Sequence, residues 1–114
     1  MPFVALQHLA ESAREQALPV CLQDIVTAGE QLRNTPAIRA VFQRSTCRLH
    51  NHYGPTESHV ATAYSLPEEV AEWDDLPSIG RPIGNVAIHL LDETGHPVPI
   101  GVPGELCIAG PCLA

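Results

Sequence analysis

The chain has 114 residues with a formal net charge of -7, and 45% of its residues are apolar. This length and apolar fraction allow one small domain with a buried core. A net-acidic chain without a basic run argues against nucleic acid or an anionic membrane as the natural partner. No stretch approaches the roughly 20 apolar residues that a membrane span requires, and the N-terminus lacks a signal-peptide pattern.

The cysteine and histidine residues do not match a disulfide or metal pattern. The four cysteines, at positions 21, 47, 107 and 112, include no C-x-x-C pair, and no export signal precedes them. We therefore expect reduced thiols in a cytoplasmic protein rather than a disulfide framework. His50, His52 and His59 cluster near Cys47, but their spacing gives no good tetrahedral ligand set. We expect no native zinc site there.

Two helices and two strands are predicted in the first half of the chain. Apolar residues at three- and four-residue steps predict a helix over 3–17, and a partly β-branched run predicts a buried strand over 22–28. Thr35 is a good N-cap, and Pro36 suits the first position of a second helix. The apolar face of that helix is predicted to consist of Ile38, Val41 and Phe42. A second strand is predicted over 47–52.

This order of elements predicts a βαβ unit, and the fold class is therefore α/β with a flavodoxin-like piece. The two strands should be parallel and their crossover right-handed. Ligands of such sheets bind at the carboxyl ends of the strands. These ends are residues 28–30 and 51–54, so the functional site is expected there.

The second half of the chain has a different character. One more strand fits residues 59–66. Short β-like runs follow at 86–91 and 104–109, with a turn at 92–95 and many prolines and glycines around them. These runs predict a short antiparallel β segment that is distinct from the α/β part.

The predicted elements divide the chain into three regions. These are an α/β part over 1–66, an acidic connector over 67–78 and the antiparallel β segment over 79–114. In the connector, Trp73 and its acidic neighbours are interpreted as a solvated segment rather than a partner-docking site. Both ends of the chain are expected to be cut from something longer.

Residues 51–57, with the sequence NHYGPTE, carry the strongest functional signal. They form a predicted loop that leaves a strand end, with Gly54 and Pro55 defining a turn. The aromatic face of Tyr53 can stack on a purine, and the carboxylate of Glu57 can hold Mg²⁺, which binds through a few protein oxygens together with substrate phosphates. On these residues alone, a solvated loop is the simpler interpretation.

The motif NHYGPTE resembles the N-x-Y-G-P-T-E motif of nonribosomal peptide synthetase adenylation domains, which belong to the adenylate-forming enzymes. Segments 25–30, 80–85 and 104–110 are similar to three further motifs of that family, in the same order. The resemblance covers nearly the whole chain and implies an internal fragment of the large N-terminal core. It also implies that 79–114 is part of a β-barrel subdomain. Acyl-CoA synthetases share part of the pattern, but segment 27–32 (TAGEQL) favours peptide synthetases.

The resemblance implies ATP and Mg²⁺ as cofactors of the complete domain. Asn51 would bind the adenine amino group, and Tyr53 would stack on the adenine ring. The backbone on the other side of the ring would belong to Gly29, Glu30 and Gln31. Thr56 would contact the α-phosphate and Glu57 would hold Mg²⁺, which makes these two residues the implied catalytic pair.

The resemblance also implies part of an amino-acid pocket. Its positions in this chain are Val26, Ala28, His52, Val60 and Ala61. This set is mostly small and apolar with one imidazole, and it resembles the pocket of family members that activate proline or similar cyclic imino acids. Another hydrophobic or small aliphatic residue stays open, because one methylene changes discrimination by only about 1–3 kcal/mol.

The implied activity is the formation of an aminoacyl adenylate and pyrophosphate, followed by transfer to the phosphopantetheine thiol of a carrier protein. The family's phosphate loop and amine-binding aspartate would lie before position 1, and its ribose-binding aspartate and lysine would lie after position 114. We therefore expect the isolated chain to be inactive. The alternatives are a noncatalytic truncated module and an acyl-CoA synthetase-like fragment.

Overall fold

Within residues 1–13, 16–55 and 58–111, the computed structural model contains two α-helices, a four-stranded sheet and a two-stranded hairpin. The elements in chain order are α1 (Phe3–Ala13), β1 (Asp24–Thr27), α2 (Pro36–Gln43), β2 (Arg48–Tyr53), β3 (Thr62–Ser65), a 3-10 helix (Val70–Glu72), β4 (Arg81–Pro82), β5 (Ala87–Leu91) and β6 (Glu105–Ala109). No helix in these ranges is long and apolar enough to cross a membrane.

The larger sheet has the strand order β1-β2-β3-β4. β1 and β2 are parallel and are joined through α2, so the predicted parallel strands and the α/β fold class are confirmed. β3 pairs with β2 in the antiparallel direction, within the predicted strand 59–66. β4 then pairs with β3, which the sequence did not predict. The sheet is therefore mixed rather than wholly parallel.

Helix α2 begins as the sequence predicts. Thr35 has extended backbone angles, and its hydroxyl oxygen accepts a hydrogen bond from the N–H of Ile38 at 3.3 Å. Pro36 occupies the first helical position, where no intrahelical N–H bond is lost. The Thr35 hydroxyl also donates to the Gln7 side chain at 2.6 Å, which connects α2 to α1. The predicted apolar face of α2 is buried, and it consists of Ile38, Val41 and Phe42.

Helix α1 ends earlier than predicted. Arg14 and Glu15 lie outside the described residues, and beyond them the chain is no longer helical. The backbone N–H of Leu18 donates to the Ser45 hydroxyl at 2.8 Å instead of to a helical carbonyl. Pro19 disfavours a helical conformation at Leu18, which accounts for part of the difference.

The predicted solvation of Trp73 in the acidic connector is wrong. Val70, the first residue of the 3-10 helix, and Trp73, directly after its last residue, are both buried in the core. The indole ring of Trp73 lies 5.5 Å from the ring of Phe42, and its N–H donates to the carbonyl of Pro67 at 2.7 Å. The Arg39 guanidinium donates to the carbonyls of Val70 and Trp73, so α2 holds this segment in place. The acidic side chains around Trp73 are exposed, as expected.

The buried core and the hairpin occupy different parts of the chain. Among the described residues, those buried in the hydrophobic core all lie between Leu6 and Trp73. β5 and β6 pair in the antiparallel direction over Ala87–Leu91 and Glu105–Ala109, as predicted. The predicted turn at 92–95 forms where the Asp92 carboxylate accepts hydrogen bonds from the N–H groups of Thr94 and His96. No described residue of the hairpin is buried.

Candidate functional site

A cleft of about 540 Å³ lies at the carboxyl ends of β1 and β2, where the βαβ topology predicts a site. Its volume falls within the range of small-molecule pockets. The cleft is lined by Gly29, Glu30, Gln31, Leu32, Asn51, His52, Tyr53, Gly54, Pro55, Pro77 and Ile79. Every described residue that the sequence assigned to nucleotide binding is therefore in one place. Thr56 and Glu57 lie outside the described residues.

Asn51 is buried at the base of the cleft with a defined orientation. Its amide nitrogen donates to the carbonyl of Ser78 at 2.9 Å. Among the described residues, no donor reaches its Oδ1 atom. The side chain can therefore offer one carbonyl oxygen as an acceptor to a ligand in the cleft.

Two glycines shape the walls of the cleft. Gly29 has φ +92°, in the left-handed region that favours glycine, and a Cβ there would meet no atom within 4 Å. The backbone at the end of β1 is thus open to the cleft. At Gly54 a Cβ would overlap the carbonyl oxygen of His59, so only glycine allows the following loop to return this closely. The loop is then joined to β2 by a 2.7 Å hydrogen bond from the N–H of Ala61 to the carbonyl of Tyr53.

The residues assigned to amino-acid binding are less concentrated than those assigned to nucleotide binding. Only His52 lines the cleft. Val26 is exposed on the sheet face opposite the buried Ile25, and Ala28 is half-buried just beyond the end of β1. Ala61 is fully buried beside the end of β2, whereas Val60 is half-buried. The structure therefore places part of this set on an open sheet face next to the cleft.

Burial favours the neutral form of the His52 imidazole. It lowers the pKa of this imidazole below the ordinary value, and electrostatic interactions with His50 and with the amino terminus lower this pKa further. A neutral imidazole has one N–H donor and one nitrogen acceptor. The neutral ring can therefore contact a small uncharged side chain of a ligand without placing a charge next to that side chain.

One wall of the cleft was missed by the sequence analysis. Pro77 and Ile79 line it, and Ser78 between them accepts the hydrogen bond from Asn51. Gly80 has φ +84°, and a Cβ there would overlap the carbonyl oxygen of Ala63. This close approach positions 77–80 against β3. Gly80, which follows Pro77-Ser78-Ile79, was the residue in the sequence that could have indicated this wall. Its role depends on the pairing of β4 with β3, which the sequence did not predict.

The described residues contain no group of three or more His, Cys, Asp and Glu side chains that could hold a metal ion. Glu57, the predicted Mg²⁺ ligand, lies outside these residues. Cys21, Cys47 and Cys107 are free in the part of the chain that the structure describes.

The sequence is similar to a known family and to large synthetases. Residues 2–114 match the family model described as AMP-binding enzyme. Gramicidin S synthase 2 of Brevibacillus brevis is 45% identical over 92 residues, which are 81% of this chain and 2% of that protein. Tyrocidine synthase 2 of Brevibacillus parabrevis is 43% identical over 95 residues, which are 83% of this chain and 3% of that protein. The chain thus spans a very small part of the length of these relatives.

Solved structures resemble the fold along almost the whole chain. Holo-PA1221, an NRPS protein with adenylation and PCP domains bound to a vinylsulfonamide inhibitor, is 28% identical with a TM-score of 0.79. The alignment covers 99% of this chain and 20% of that one. The N-terminal subdomain of Klebsiella oxytoca NpsA, in complex with 3-hydroxybenzoyl-AMSN, has a TM-score of 0.77 at 21% identity, and it supports the fold alone. That alignment covers 99% of this chain and 29% of the subdomain.

Proposed function

We propose that this chain, which belongs to the family of AMP-binding enzymes, forms the adenine side of the ATP site and part of the amino-acid pocket. It is part of an adenylation domain of the nonribosomal peptide synthetase type. The observation that carries this proposal is the arrangement of Asn51 in the cleft. Its amide nitrogen donates to the Ser78 carbonyl, and among the described residues no donor reaches its Oδ1 atom, which can accept from an adenine amino group. Five residues suited to a purine share that cleft.

The chemistry of the cleft fits an adenine ring. Tyr53 is half-buried in the cleft and offers an aromatic face, and residues 29–31 line the same cleft. We propose that the adenine ring lies between Tyr53 and the backbone of residues 29–31. The open backbone at Gly29 permits a flat ring to approach closely. ATP would supply the α-phosphate group to which an amino-acid carboxylate is joined as pyrophosphate leaves.

Thr56 and Glu57 complete the proposal through the family resemblance rather than through geometry. We propose that the Thr56 hydroxyl contacts the α-phosphate and that the Glu57 carboxylate holds Mg²⁺. The hydroxyl donor, and the Mg²⁺ that the carboxylate would hold, would both stabilise the negative charge on the phosphate oxygens in the transition state.

The proposed substrate is an amino acid, either proline or another small apolar residue. The support is the composition of the pocket positions, since a neutral His52 stands with Val26, Ala28, Val60 and Ala61. In the complete domain the aminoacyl group would pass to a carrier-protein thiol. We also propose that the 114-residue chain is inactive alone, because the implied phosphate, ribose and amine contacts are not part of it. The domain division at 66 and 78 stays a proposal.

The test replaces the matching segment of a complete adenylation domain of known specificity with residues 1–114. Amino-acid-dependent pyrophosphate exchange is then measured across a panel that includes proline. Exchange with a preference moved toward proline or another small residue supports the proposal. A folded, active chimera that keeps the preference of its host contradicts the assigned amino-acid pocket. A folded chimera without any exchange favours the noncatalytic alternative.

A matched pair of variants of that chimera tests the adenine assignment. Asn51→Ala should raise the KM for ATP by about 10-fold or more, because a buried ligand loses its hydrogen-bond partner, while the KM for the amino acid changes little. Gln23→Ala removes an exposed amide at the opposite end of β1 and serves as the control. Equal effects of the two substitutions on the KM for ATP would argue against the assignment.

A further inference from the structure

Three polar side chains form a hydrogen-bonded chain across three neighbouring strands. The Nε2 atom of His50 in β2 lies 2.7 Å from the Oδ1 atom of Asp24 in β1. Its Nδ1 atom lies 2.8 Å from the Oγ atom of Ser65 in β3. Both ring nitrogens therefore have a partner, and the imidazole is held in one orientation between the two strands that flank β2, which are β1 and β3.

The cross-strand chain lies next to the proposed amino-acid pocket. Ser65 is directly opposite His50 in the antiparallel register, and Val26 is the register partner of His50 in β1. His52 is two residues further along β2, on the same face as His50. His50 is thus the register partner of Val26 and lies two residues from His52 on the same sheet face.

A contribution to the stability of the fold does not explain why Asp24, His50 and Ser65 are joined in this way. The His50 side chain is 19% exposed and the Asp24 side chain is 55% exposed, so solvent screens the carboxylate end of this contact and the contact contributes little to the free energy of unfolding. The helices cover the other sheet face, where Ile25 and Leu49 are buried in the core. On the open face, hydrogen bonds between strands are what restricts the side-chain conformations.

We propose that Asp24, His50 and Ser65 are positioning residues that hold Val26 and His52 in place at the wall of the amino-acid pocket. The expected kinetic effect of these three residues depends on the proposed function, whereas the positions of their side chains do not. Because Val26 is the register partner of His50, a fixed His50 ring would restrict the rotamers of the Val26 side chain. It also fixes the local strand geometry from which His52 projects toward the cleft.

The kinetic test uses the chimeric adenylation domain that contains residues 1–114. Ser65→Ala removes the hydroxyl at an exposed position, and Asp24→Asn weakens the other end of the chain. Each should raise the KM for the preferred amino acid by about 3- to 10-fold, as expected for one lost hydrogen bond, without a matching change in the KM for ATP. Ser65→Thr keeps a hydroxyl and should restore the lower KM. Ser12→Ala, at an exposed position of α1, is the control.

The second test uses the 114-residue chain itself and needs no activity. The NMR signals of the Val26 methyl groups and the His52 ring should shift in Ser65→Ala but not in Ser65→Thr or Ser12→Ala. Unchanged signals in Ser65→Ala would overturn the positioning role, as would an unchanged KM for the amino acid in an active chimera. A failure of the unsubstituted chimera to exchange would count against the proposed function only, because the NMR comparison would still decide the positioning role.

Discussion

Asn51 and Tyr53 project to one face of β2, and His52 between them projects to the other. Asn51 is buried on the helix side of the sheet, whereas His52 is half-buried on the face that carries Val26. Because the strand ends at these residues, all three reach the same cleft from opposite sides. Successive side chains at the end of one strand point to opposite faces of the sheet. Neighbouring residues of β2 can therefore contact two different ligands, a nucleotide and an amino acid.

The free energy of unfolding should depend on pH through His52. Its folded-state pKa is lowered, mainly by burial, while the unfolded-state pKa stays near 6.5. Between these two values the unfolded chain binds more protons, so stability is fully present above about pH 6.5 and is lost as the pH falls. Urea unfolding at several values between about pH 7.5 and about pH 5.5 measures this loss.

His52→Asn should weaken that pH dependence, because it removes the group whose pKa is lowered. His8→Asn, at an exposed position of α1, is the control and should keep the dependence of the unsubstituted chain. If His52→Asn keeps the full dependence on pH, His52 is not the group responsible.

At the scale of elements, the 3-10 helix Val70–Glu72 should contribute more stability than its acidic composition indicates. Trp73→Ala removes a buried side chain that packs on Phe42 and should destabilise the fold by about 3–5 kcal/mol. Glu72→Ala, one residue away and exposed, should have little effect. Trp73 is the only tryptophan, so urea unfolding is followed by circular dichroism rather than by fluorescence. Equal stabilities of the two variants would contradict the buried role of Trp73.

Replacing Gly80, which directly precedes β4, should lower the free energy of unfolding. Gly80→Ala combines φ +84° with a Cβ that would overlap the Ala63 carbonyl oxygen, so it should lower the free energy of unfolding by more than about 1 kcal/mol. The matched control is Gly84→Ala, where a Cβ meets no atom within 4 Å. Thermal unfolding of the two variants measures the difference. A Gly80→Ala variant as stable as Gly84→Ala would show that β3 and residues 77–80 do not lie this close together.

The elements that the sequence predicted well are those whose signals are local. The start of α2 follows from the cap at Thr35 and from Pro36, and the hairpin turn follows from the side chain of Asp92. The burial of Trp73 and the pairing of β4 depend on distant partners, Phe42 and β3. No pattern within a short window contains that information, so these features were missed or wrong.

The same distinction applies to the candidate site. Gly29, Asn51 and Tyr53 were assigned to one site because parallel strands end at the same edge of a sheet, and the structure places them in one cleft. The wall formed by Pro77 and Ile79 was missed, because it exists only after β4 pairs with β3. The ligand-binding roles of all these residues stay predictions until they are measured.

At the scale of the whole molecule, the chain is more extended than a single compact domain. Its radius of gyration is 16.1 Å, against about 13 Å expected for a compact chain of this length. The excess fits the division between a core limited to residues from Leu6 to Trp73 and a hairpin without a buried residue.

The hairpin should therefore be dispensable for the stability of the core in this chain. A two-stranded hairpin is at best marginally stable in water, so the amides of β5 and β6 should exchange with deuterium much faster than those of β1 and β2. A shortened chain of residues 1–85 should melt within about 4 °C of the full chain, which corresponds to less than about 1 kcal/mol for a domain of this size. Slow exchange in the hairpin, or a larger fall in the melting temperature, would mean that the hairpin and the core unfold as one cooperative unit. If residues 79–114 are part of a β-barrel subdomain, as the family resemblance implies, the same hairpin should become protected from exchange in a complete adenylation domain.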